Sequence, residues 1–90
     1  MLTGRQLNHV RTIAEISRPE IADEMFVTTS CIKSIEYGFS RDKALLRYYE
    51  LSLKIMIDNL IDEDKQRICL DLIDQYSECN ANTEQPLLYF

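Results

Sequence analysis

Glycine and proline are scarce in this chain, two of each among 90 residues. Strand-rich folds need turn residues at short intervals, and no segment alternates Val, Ile or Thr with polar residues, so an all-α fold is expected. Histidine occurs once, at His9. With no Gly-rich loop, no His-Glu-x-x-His pattern and no nucleophile in a recognisable setting, no catalytic constellation assembles and an enzyme is not expected. Cys31, Cys69 and Cys79 are odd in number, form no Cys-x-x-Cys pair and lie far from His9. Neither a disulfide framework nor a zinc site follows. Cys31 and Cys69 are expected to pack as small hydrophobes in a reducing cytosol, with Cys79 exposed. The acids Asp62, Glu63 and Asp64 lack the glycine of a calcium loop, so neither metal nor cofactor is expected. No apolar run approaches membrane-spanning length, and the N-terminus has no basic stretch leading into an apolar one. Neither a membrane span nor a signal peptide is indicated, and a cytoplasmic location is expected.

What is present is ordinary globular material, 46% hydrophobic and 28% charged. A chain of this size supports one domain with a modest core, so burial of a face against a second copy is an expected source of stability. The net charge of -5 is unevenly placed. Residues 1–57 hold eight Lys and Arg against seven Asp and Glu, whereas residues 58–90 hold two against eight. The acid is concentrated in the last third.

The most informative stretch is Ser17 to Gly38, SRPEIADEMFVTTSCIKSIEYG. Ser17 and Glu20 have capping-box spacing, and Pro19 stands where a missing N–H does no harm, so a helix should begin near Arg18. Ile21, Ala22 and Met25 share a face of that helix. Ala22, the smallest of them, lets another helix cross closely. After a three-residue turn, Thr28 caps a second short helix whose buried pair is Ile32 and Ile35. Gly38 suits a left-handed residue just past its end.

Ser17, Arg18, Glu20, Ile21, Ala22, Phe26, Val27, Thr28, Ile32, Ile35, Glu36 and Gly38, taken in order, closely resemble the helix-turn-helix of Cro and lambda-repressor-type DNA-binding domains, the xenobiotic-response-element family. The close match covers about a quarter of the chain and extends loosely from Leu2 to Ile57. It implies a compact five- to six-helix lambda-repressor-like DNA-binding domain with an added C-terminal helix. Two positions depart from the family habit. Arg18 stands where Gln is common, and it can still bond a phosphate. Phe26 stands where a turn Gly is common. A Phe at positive φ is strained, so either the turn is built differently or the first helix ends in another geometry.

Around the motif, Leu7, Val10, Ile13 and Ala14 mark the inner face of a helix from Thr3 to Ile16, with Thr3 and Gln6 at its start. Leu45, Tyr48, Tyr49, Ser52 and Met56, widened by Leu46, Leu53 and Ile57, keep a helical period from Asp42 to about Ile57 and predict one longer helix that ends near Asn59 to Asp62. Asp62 caps a last helix with Glu63 and Asp64 in its first turn, and Ile68, Cys69, Leu72, Ile73 and Tyr76 form its apolar face. The organisation expected is a helix-turn-helix domain over 1–61, a C-terminal helix over 62–79 and a loose polar tail over 80–90. Leu87 to Phe90 either dock on a groove or hang free. The apolar face of the last helix either closes over the core of its own subunit or pairs with a second copy, and the family habit implies the second, a homodimer through Ile68, Leu72, Ile73 and Tyr76.

The resemblance further implies that the second motif helix enters the major groove of double-stranded DNA. Its outward residues are Thr28, Thr29, Ser30, Lys33, Ser34 and Tyr37. Hydroxyls can bond base edges or phosphates, and Lys33 is the best candidate for a guanine. Arg18, Arg41 and Lys43 are candidate phosphate clamps. No Arg, Asn or Gln on this helix offers bidentate base readout, and the acidic balance predicts modest, salt-sensitive affinity. The expected function is a sequence-specific transcriptional regulator of phage or mobile-element type, acting as a repressor on a two-fold operator. The acidity, thin basic patch and apolar end motivate the alternative, a helix-turn-helix scaffold that binds protein: an antirepressor, an inhibitor of a host enzyme or an acidic DNA mimic.

Overall fold

All five helices described in this computed structural model begin at a capping side chain, and four of those caps, Thr3, Ser17, Thr28 and Asp62, are readable in the sequence. Its description covers the backbone of residues 1–40 and 42–87 and the side chains of residues 1–40 and 42–81. Helix α1 is Gly4–Ile13, α2 Arg18–Met25, α3 Thr29–Glu36, α4 Lys43–Asp58 and α5 Glu63–Leu87. Thr3 with Gln6 and Ser17 with Glu20 form complete capping boxes, while Thr28 and Asp42 each accept from first-turn N–H groups. Asp62 accepts from the Lys65 N–H at the start of α5. Among the described residues the fold is all-helical. Among the described residues no helix is long and apolar enough to cross a membrane.

Three helices stop in the same way. After α1, α2 and α3 the chain turns back through a six-to-one bond: Ile16 N–H to Arg11 O, Val27 N–H to Ala22 O and Phe39 N–H to Ser34 O. This closure puts one residue in the left-handed region, usually a glycine. Gly38 fills that place after α3 with φ 81°, but Glu15 and Phe26 fill it after α1 and α2, at 60° and 57°. Phe26 therefore takes the strained conformation that the sequence made suspect. The closure after α1 also ends that helix at Ile13, short of the Ile16 expected.

Helix α1 packs on α3, α4 and α5, and α2 packs on α3 and α4. Leu7, Val10, Ile21, Met25, Ile32, Ile35, Tyr49, Leu53, Ile57 and Ile73 form the centre of one core. Along α4, Tyr49 turns inward and Ser52 is buried, whereas Tyr48, expected on the inner face, points outward.

Helix α5 differs most from expectation. It continues to Leu87 through the stretch anticipated as a loose tail. No glycine follows Gly38 to stop it, and Asn80 fastens it to the other end of the chain. The Asn80 amide donates to Met1 O at 2.7 Å and exchanges bonds with the Gln6 amide at 2.9 and 3.2 Å. Leu88, Tyr89 and Phe90 lie outside the described residues.

Candidate nucleic-acid interface

The turn between α2 and α3 consists of Phe26, Val27 and Thr28. Ile21, Ala22 and Met25 face inward from α2, and Ile32 and Ile35 from α3, all fully or almost fully buried. At Gly4 the backbone of α1 meets α3 so closely that a Cβ would stand 1.9 Å from Ile35 O. Helix α3 is thus held from behind by α1 and α2, with its opposite side open.

On that open side Ser30 and Lys33 are exposed, while Thr29 and Ser34 are half-buried at its edges. Lys33 makes no ion pair among the described residues. Thr28 is exposed, and its hydroxyl accepts from the Cys31 N–H at 3.2 Å as a cap. Lys43, also exposed, begins α4. Arg41 lies outside the described residues. The surface collects Ser30 and Lys33 at its middle and Tyr37 at its rim.

Arg18 and Tyr37 have a second role that the sequence did not announce. Arg18 Nε donates to Glu36 Oε1 at 2.8 Å, its terminal nitrogen lies 3.4 Å from the Tyr37 hydroxyl, and its guanidinium stands 5.6 Å from the centre of the Tyr37 ring. The Glu36 bond raises the Arg18 pKa further above its ordinary value. Arg18 is fixed by these contacts and presents only its remaining N–H groups outward.

Glu36 itself is the hub that residue patterns missed. Its buried carboxylate accepts from Arg11 Nε at 2.7 Å, from Arg18 and from the Tyr49 hydroxyl. Arg11 also donates to Ile16 O at 2.8 Å and Asn8 Oδ1 at 2.7 Å. Burial alone pushes the Glu36 pKa up, but bonds from Arg11, Tyr49 and Arg18 outweigh it and hold the carboxyl below its ordinary range. Burial and the same carboxylate push the Tyr49 phenol far up. A sequence signal existed: Arg11 interrupts the inner face marked by Leu7, Val10 and Ala14, and a charge there requires a buried partner.

The electrostatics of the motif are mixed. Glu20, Asp23 and Glu24 are all exposed on α2, so the helix beside the candidate surface is acidic. Phe26 is 91% exposed at the turn.

The four residues expected at a dimer interface on α5 do not share one fate. Ile73 is 1% exposed and belongs to the core, so it cannot meet a second copy without unfolding. Tyr76 is half-buried with its hydroxyl bonded to His9 Nδ1 on α1. Leu72 is partly buried against the core, and only Ile68 is exposed. The reason is that α1 and α4 cover most of the apolar face of α5.

Cys69 is buried, Cys31 half-buried and Cys79 exposed. Among the described residues no cluster of His, Cys, Asp or Glu is arranged to hold a metal ion. No family model, curated protein or solved structure matches the chain.

Proposed function

We infer that the chain is a sequence-specific DNA-binding regulator with a lambda-repressor-like fold, working in the cytoplasm as a homodimer on a two-fold operator and repressing transcription in a phage or mobile element. The observation that carries this reading is the exposed side of α3, where Ser30 and Lys33, which makes no ion pair among the described residues, stand outward from a helix braced by α1 and α2. A braced helix with hydroxyls in its first turn and the exposed cation of Lys33 in its last turn suits the major groove. Arg18 and Lys43 flank it as phosphate partners, with Thr29, Ser34 and Tyr37 at its edges. The acids on α2 oppose phosphate and keep affinity modest.

Fluorescence anisotropy on DNA from around the coding region, at two salt concentrations, tests the reading. A regulator shows a steep salt slope, and Lys33→Ala weakens binding and lowers that slope by about one. Absence of binding at low salt would sink it.

A second reading rests on a different observation, the protruding Phe26 beside Glu20, Asp23 and Glu24. An exposed aromatic within an acidic surround suits a basic protein partner, and aromatic anchors commonly dominate such contacts. Glu24→Lys separates the two readings: it strengthens DNA binding under the first and weakens partner binding under the second.

A further inference from the structure

Tyr48, Leu51 and Ile55 stand outward on α4, exposed by 43%, 45% and 53%. Ala44, also exposed, lies one turn before Tyr48. Their spacing sets them on one stripe opposite Tyr49, Leu53 and Ile57, which are fully buried. We propose that this stripe binds a second copy of the chain, α4 against α4, antiparallel about a two-fold axis close to Leu51.

The charges beside the stripe select that occupant. Arg47, Lys54 and Asp58 lie along a single flank, with Lys43 at its edge. At ~1.5 Å rise per residue, Asp58 stands about 10 Å from the axis on one side, and Arg47 and Lys43 about 7 and 13 Å on the other. A two-fold axis perpendicular to the helix brings like flanks together with their directions reversed. Asp58 of each copy then falls between Arg47 and Lys43 of the other, Tyr48 faces Ile55 twice, and Leu51 meets Leu51. Parallel pairing instead sets Asp58 against the flank of Asn59 and Ser52, which offers it no charge. Lys54 reaches back toward Glu50 at 3.9 Å within its own copy, away from the second copy's Arg47. The same patch serves both copies, so the contact closes at a dimer.

Nothing in this assignment depends on DNA binding, and DNA is left out of its test. Sedimentation velocity of the full chain is followed from micromolar to millimolar concentration. The wild type is expected to dimerise, and Leu51→Asp to stay monomeric with unchanged helical circular dichroism. Asp58→Arg weakens association at least tenfold, and adding Arg47→Asp restores most of it. The charge exchange keeps the test decisive if Leu51→Asp fails to fold. A wild type that stays monomeric overturns the proposal, as does a dimer that survives Leu51→Asp, a charge exchange without rescue, or a dimer lost with Ile68→Asp alone.

Discussion

Arg11 on α1 and Glu36 at the end of α3 meet inside the domain, Nε to Oε2 at 2.7 Å, with side-chain exposures of 10% and 0%. Breaking a buried pair from one side leaves the other charge without compensation. Glu36→Ala is therefore expected to cost about 3–5 kcal/mol in urea unfolding, and Arg11→Ala a similar amount. Arg18→Ala should cost less, because its side chain is partly open to solvent.

The same pair sets an acid limit. Glu36 is held below its ordinary pKa of 4.5 in the folded state. Its contribution is therefore present above about pH 4.5 and is lost as pH falls through the lowered folded value. Unfolding free energy should fall as the solution is acidified below that point. In Glu36→Gln the slope in this window should flatten, as measured by denaturation at a series of pH values.

Gly4→Ala and Gly38→Ala test two different demands on glycine. A Cβ at Gly4 meets Ile35 O at 1.9 Å, whereas Gly38 has open space but φ 81°. The first should push α1 from α3 and cost about 1–3 kcal/mol as overpacking does. The second costs about 1–2 kcal/mol through the left-handed backbone alone. Proton and carbon chemical shifts should change across Ile32 to Glu36 only in Gly4→Ala.

Phe26 carries an avoidable strain. It is left-handed at φ 57°, and its ring is almost wholly in solvent. Relief of about 1–2 kcal/mol outweighs the extra entropy glycine loses on folding, roughly 0.5–1 kcal/mol. Phe26→Gly is expected to raise the melting temperature. A fall would show that the ring makes a stabilising contact.

Asn80 ties α5 to Met1 and Gln6. Asn80→Ala should cost about 1 kcal/mol. Amide exchange should quicken at the start of α1 and leave α2 and α3 unchanged.

The helix starts were legible because a cap acts locally: Thr3, Ser17, Thr28 and Asp62 need only the N–H group three residues on. The helix stops were less so. Glu15 and Phe26 occupy a glycine's place because packing of the next segment compensates a local cost that their own residue types argue against. The candidate surface was legible as a set of outward positions on α3. Arg18 was not, since its engagement with Glu36 spans residues 18 apart. Ile73 lies inside and Tyr48 outside because a wide apolar stripe does not say which of its edges a neighbour covers.

The sequence by itself determined the all-helical class, the caps and the inward faces of α1, α2 and α3, because these rest on propensity and periodicity within one or two turns. Only the tertiary structure decided that Arg11, Arg18 and Tyr49 converge on Glu36, that Asn80 draws α5 back to the N-terminus, and that Tyr48, Leu51 and Ile55 form an open apolar stripe on α4. Those contacts join residues far apart in the chain. Their partners are chosen by the way five amphipathic helices share one core, which no local pattern records.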